Sequence, residues 1–189
     1  MCVQVRNSDQ QYIKNIAKHM IIGNGDVAKV LTDRHGLIFF ASGVSNSSET
    51  RQSEFQREID LLLKQDPSYR LVYFSSLCVF YSDTPYAKHK KNIEDLVKNN
   101  FPRYTIMRLG NIDWGINPHT IFNSLRNKIK NNEPFEIQDT YRYIVSRKEF
   151  DHWIGLIPDW NSEMNITGKL LSVQEIADQI RREQKRDTP

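Results

Sequence analysis

The chain has 189 residues, 39% of them hydrophobic and 26% charged, the make-up of one ordinary globular domain that buries its core without disulfides or a structural metal. Its two cysteines, Cys2 and Cys78, form no CxxC spacing and no ladder, which excludes a disulfide scaffold and a zinc ribbon. The net charge of +3 comes from 26 basic and 23 acidic residues, mostly interleaved, so charge alone describes no surface that tracks nucleic-acid phosphates.

The amino terminus, MCVQVRNSDQQ, lacks a charged-then-apolar layout, which predicts a cytoplasmic protein. From Gln10 to His19, Tyr12, Ile13 and Ile16 recur at helical spacing, predicting a short helical extension in front of the core. Met20 to Ile22 reads as a strand that ends on Gly23-Asn24-Gly25, and Asp26 to Leu31 predicts a helix. Leu37 to Ala41 is a second buried strand, feeding the small polar stretch Ser42 to Ser48. Ser53 to Gln65 puts Phe55, Ile59, Leu62 and Leu63 on one helix face and stops before Pro67. Arg70 to Phe80 predicts a third strand, Tyr86 to Asn99 a helix with Pro85 at its first turn, and Tyr104 to Leu109 a fourth strand. Beyond Trp114 the pattern loosens. Thr120 to Asn131 is helical, Tyr141 to Val145 a short strand, Phe150 to Ile157 ambiguous, and Ser172 to Arg182 a helix. Apolar strands alternating with helices predict an α/β fold with a parallel sheet covered on both faces. The longest apolar stretch, Leu71 to Phe80, is broken by Ser75 and Ser76 and falls far short of the roughly 20 residues that cross a bilayer.

Three features could carry chemistry. Gly23-Asn24-Gly25-Asp26-Val27-Ala28 has the G-x-G-x-x-A spacing that brings backbone N–H groups and a helix start against a pyrophosphate. A bland strand-to-helix turn accounts for the same residues, and a carboxylate at Asp26 faces incoming phosphates unless it points away. Tyr86 and Lys90 stand four residues apart on one helix face, where an ammonium lowers a phenol pKa and suits it to move protons. Ser75 and Ser76 lie in an apolar strand: either the backbone satisfies their hydroxyls, or they reach the crevice at the strand's carboxyl end. The basic run KHKK from Lys88 to Lys91 is the solvated start of a helix more readily than a nucleic-acid contact. The five histidines form no metal-ligand spacing, so no metal site is expected.

The succession GNGDVA, LIFFASG, FSSLCVFY, PYAKHKK and MRLGNIDWG resembles the extended short-chain dehydrogenase/reductase family, specifically its NAD-dependent nucleotide-sugar epimerases, dehydratases and ketoreductases. FEIQDTYRYIVSRKEFDHWI and NITGKLLSVQEIADQI resemble the segments that close the family's substrate site and chain end. The resemblance implies a reduced Rossmann-like, doubly wound sheet. It divides the chain into an N-terminal extension (1–19), a dinucleotide-binding core (20–115) and a small C-terminal cap (116–189) packed on the same core. It also implies hydride transfer between NAD or NADP and a nucleotide-activated sugar. Tyr86 is then the general acid/base, Lys90 holds the nicotinamide ribose, and Ser76 orients the reacting oxygen. Gly23, Gly25, Ala41, Ser42, Gly43 and Ser75 line the cofactor, and Asn111 faces the substrate. Helices 53–65 and 86–99 would pair with their copies in a homodimer.

The sequence departs from the family in two places. Only one helix and one strand fit between Gly25 and Ser42, so the elements that normally form the adenosine pocket are missing; Asp33 and Arg34 are the nearest candidates to choose between NAD and NADP. Tyr81 stands where the family has glycine. These departures support the alternative of a non-catalytic nucleotide- or partner-binding module on the same fold.

Overall fold

The computed structural model describes residues 20–137 and 140–186. The helix expected over 10–19 lies outside them. Five parallel strands form the main sheet in the order β1-β2-β3-β4-β7. They are β1 (Ile21–Ile22), β2 (Leu37–Phe40), β3 (Arg70–Ser76), β4 (Tyr104–Leu109) and β7 (Ser162–Ile166). A second sheet has the order β5-β6-β8, with β5 (Asn111–Ile112) parallel to β6 (Tyr141–Val145) and β6 antiparallel to β8 (Lys169–Ser172). The helices are α1 (Gln52–Leu63), α2 (Pro85–Asn100), α3 (Ile121–Lys130), α4 (Arg147–Gly155) and α5 (Val173–Arg186). No helix among the described residues is long and apolar enough to cross a membrane.

The period-two alternation of the strands builds both layers at once. Ile38, Phe40, Leu71, Tyr73 and Ile106 face Leu62 of α1 and Ile93 and Val97 of α2. Phe39, Val72, Phe74, Met107 and Leu109 face Phe150 and Ile154 of α4. Each of these large side chains contributes about 1.5–3 kcal/mol by leaving water. A third cluster, with Phe122, Leu125, Ile144, Val173, Ile176 and Ile180, packs α3 and α5 against the small sheet. This is a doubly wound α/β fold. β7, from the stretch 116–189, completes the main sheet beside β4, in register from Thr105–Ser162 to Leu109–Ile166.

Two expected elements are corrected. Asp26 to Leu31 is not a helix: only Ala28–Val30 form a 3-10 turn, and Leu31 is already extended. The turn is held by the Lys29 N–H on the Gly25 carbonyl and the Leu31 N–H on the Ala28 carbonyl, and the chain then runs extended toward β2, which lies hydrogen-bonded alongside β1. The third strand ends at Ser76, and Leu77–Phe80 form a second 3-10 turn capped by Ser76 Oγ, which accepts from the Cys78 N–H at 3.3 Å. The ambiguous stretch near Phe150 is helix α4, started by Ser146 Oγ accepting from the Glu149 N–H.

Candidate functional site

In a parallel sheet, ligands gather in the crevice beyond the carboxyl ends of the strands. Here those ends carry Gly23–Asp26 after β1, Ala41–Ser45 after β2, Ser76 after β3 and Gly110–Asn117 after β4. Tyr86 enters from the first turn of α2. That turn is set by Pro85 and by Thr84, whose Oγ1 accepts the Ala87 N–H at 3.3 Å.

Ser76 and Tyr86 come together, the Ser76 hydroxyl near enough to the phenol to act on its ionisation. Tyr86 is 8% exposed. Burial is the main reason its phenol is held above the ordinary 10.0; Cys78 and Glu58 add to this, and the Ser76 hydroxyl opposes it. Half-buried Cys78 completes the group: burial raises its thiol pKa, and a hydrogen bond to Ser76 opposes the rise. Cys78 was not legible as a member of this group, because its place follows from the 3-10 turn.

Lys90 is turned into the core. Its ammonium lies 5.7 Å from the Tyr86 ring centroid, but it is 2% exposed and bound to Glu58 Oε1 at 3.0 Å. Glu58, fully buried on α1, also takes His89 Nε2 at 2.9 Å, the Tyr73 hydroxyl at 3.0 Å and the Val44 N–H at 2.7 Å. Burial, the largest single influence, works to raise the Glu58 pKa, but the Lys90 charge and the His89 and Val44 contacts together outweigh it, and the carboxyl falls to about 2. The positive charge of Lys90 is therefore consumed inside the core, and Tyr86 shifts up where the spacing predicted a shift down. Gly43 closes the lid on this cluster: a Cβ there would lie 2.6 Å from Lys90 Nζ and 2.7 Å from Glu58 Oε1. Glu58 could have been found in the sequence, since it falls between Phe55 and Leu62 on the apolar face of its helix.

Ser75 is likewise occupied. Alternation turns it to the face of Leu71 and Tyr73, where its hydroxyl donates to Glu94 Oε1 at 2.6 Å. Glu94 holds Arg108 through two bonds, and Arg108 reaches Glu163, which pairs with Lys98. Asn111 donates its amide to the Tyr143 carbonyl at 3.3 Å, within the small sheet.

The glycine turn has one feature that suits a phosphate and two that do not. Space is open around Gly25. Gly23, at φ +128°, runs so close to the Ala41 carbonyl that no side chain fits there. Asp26, however, points across the crevice, accepting the Ile116 and Asn117 N–H groups on Oδ2 at 3.0 and 2.8 Å, with Gly115 pressed against its carboxyl group. Asn117 Nδ2 also donates to Ser45 Oγ at 3.2 Å. The loops after β1, β2 and β4 are thus tied together over the strand ends. With the turn lacking a helix and Lys90 sealed beneath Gly43, these residues do not fit a dinucleotide laid along the sheet edge.

No protein-family model matches the sequence, and no curated protein matches it. Solved structures are similar in fold. The Bordetella bronchiseptica enzyme WbmH in complex with NAD+ aligns with TM-score 0.68 at 10% identity, over 82% of this chain and 60% of that one. WbmG from the same organism, in complex with NAD and UDP, gives 0.63 at 14%, over 78% and 56%. The UDP-N-acetylglucosamine 4-epimerase of Methanobrevibacter ruminantium M1, in complex with UDP-N-acetylmuramic acid, gives 0.60 at 17%, over 82% and 62%. The chain spans about 56–62% of the length of these structures. It shares the Rossmann-like α/β fold of these solved structures, in shortened form.

Proposed function

We propose that the chain binds a nucleotide-activated sugar, with Ser76 and Tyr86 as the anchor for a ligand hydroxyl or carbonyl, and works as a binding module in which the dinucleotide half of the fold is reduced. The observation that carries this reading is the placement of Ser76 beside the buried Tyr86 at the carboxyl end of β3, with a phenol held above 10.0, which stays a hydrogen-bond donor at neutral pH. A UDP-sugar is the ligand class to test, because solved structures of this fold hold UDP, UDP-glucose and UDP-N-acetylmuramic acid. The reading expects saturable binding of UDP-glucose by calorimetry. Ser76→Ala and Tyr86→Phe should each weaken it by about tenfold, the scale of a hydrogen bond to a buried group. Binding unchanged in both variants would reject the anchor.

The same pair favours a second reading, an NAD(P)-dependent epimerase or reductase. Under it, Tyr86 would exchange a hydroxyl proton that Ser76 orients. A phenol held above 10.0 then predicts turnover that climbs steeply toward alkaline pH and vanishes in Tyr86→Phe while ligand binding persists. No turnover of UDP-sugars with NAD or NADP at any pH would leave the binding module alone. A homodimer through 53–65 and 86–99 would have to form on polar ground: Gln56, Asp60, Lys88, Lys91, Asn92 and Asp95 face solvent there. Sedimentation at micromolar concentration tests it.

A further inference from the structure

The loop that Asp26 grips is held from behind. Asn123, buried on α3, donates its amide hydrogens to the Gly115 and Asn117 carbonyls at 3.2 and 3.0 Å, while its oxygen accepts from Arg126 at 2.7 Å. The Asn117 side chain is fixed as well, through Ser45 and through the His119 N–H at 3.0 Å. With both carbonyls tied down, the intervening Ile116 and Asn117 N–H groups point the other way, at the crevice, and converge on a single oxygen of Asp26. Two successive backbone N–H groups aimed at one anionic oxygen form an anion-binding nest. Gly115 makes the approach feasible: its φ is +91°, and any side chain there would collide with the Asp26 carboxyl group. The surroundings are open, with Gly25 exposed and Ile116 78% exposed. The carboxylate can therefore swing out without unpacking the core.

We propose that the Ile116–Asn117 N–H pair is a preformed site for a phosphate oxygen of a nucleotide diphosphate, and that Asp26 is its internal occupant, which the ligand must displace. This deepens the binding reading above by naming where the diphosphate sits, and it rests on that reading. It also accounts for an acidic residue in a glycine turn that is open around Gly25. Asp26 closes the crevice when no anion is present and competes with any anion that arrives.

The test uses inorganic pyrophosphate as the probe, followed by amide chemical shifts in the full chain. Asp26→Ala removes the competitor and leaves the Asn123 and Ser45 ties in place. Its affinity for pyrophosphate should exceed that of the wild type by at least about tenfold, with the largest shifts at Ile116 and Asn117. Asp26→Asn, which keeps an acceptor for one N–H and loses the charge, should fall between the two and serves if the alanine variant does not fold. A gain below about threefold in both variants, or shifts confined to Asn24–Val27, overturns the proposal. Because pyrophosphate carries no sugar, this result is independent of Ser76 and Tyr86. Loss of the anchor effect would reject the sugar-binding reading while the anion site stood, and the reverse outcome would do the opposite.

Discussion

Replacing Glu58 by Gln removes one negative charge from the core and leaves Lys90 without its counter-ion at 2% exposure. Two routes give the magnitude. The carboxyl drops from an ordinary 4.5 to about 2, which at about 1.4 kcal/mol per tenfold in proton affinity stabilises the folded state by about 3 kcal/mol. Breaking a buried ion pair by removing one partner costs about 3–5 kcal/mol. Both are a large share of the roughly 5–15 kcal/mol that holds a domain together. The sign in pH follows from a folded pKa below the unfolded one. The contribution is complete above about 4.5 and is lost as pH falls toward about 2. Urea unfolding of wild type and Glu58→Gln across this range measures the difference directly. It should be about 3 kcal/mol near neutral pH and shrink through the acid window. The double variant Glu58→Gln, Lys90→Met removes both charges and should recover more than half of the loss. A single-variant cost under about 1 kcal/mol, or a wild-type-to-variant difference that does not change with pH, would refute this account of the cluster.

Three further substitutions probe the frame around the site. Gly43→Ala drives a methyl group between Lys90 and Glu58 and should cost about 1–3 kcal/mol in urea unfolding; a neutral result would mean the cluster is looser than the contacts indicate. Thr84→Ala removes the cap of α2 and should cost about 1 kcal/mol by thermal unfolding, while an unchanged midpoint would show that Pro85 suffices. Gly168→Ala, at φ +66° against the Ile144 carbonyl, should destabilise by more than Gly36→Ala, at φ +83° in open space; equal costs would deny the close approach of the two segments.

The strands were legible because their apolar runs are continuous and the sheet is buried on both faces, as in RLVYF of β3 and YTIM of β4. β7 was not. Its sequence, SEMNI, is polar, and it sits at the sheet edge with Glu163 and Asn165 accepting from Arg108. That reason for being a strand lies far away in the chain. The helix expected over Asp26 to Leu31 shrinks to the turn Ala28–Val30, because Leu31 is already extended on its way to β2, which lies alongside β1. At the site, spacing placed Tyr86 and Lys90 on one helix face but could not say where the ammonium turns. Glu58, 32 residues earlier, decides that. Ser75 and Ser76 look alike in sequence, and the pleat sends one to Glu94 and leaves the other beside Tyr86.

The central claim is that this shortened fold keeps a nucleotide-sugar anchor and has closed its dinucleotide crevice. Parallel calorimetric titrations of the wild-type chain with UDP-glucose and with NADH, in one buffer, address both halves. The account predicts saturation by UDP-glucose and none by NADH at up to about millimolar concentration, the weak limit near 4 kcal/mol of binding energy. Saturable NADH binding with no response to UDP-glucose would contradict it.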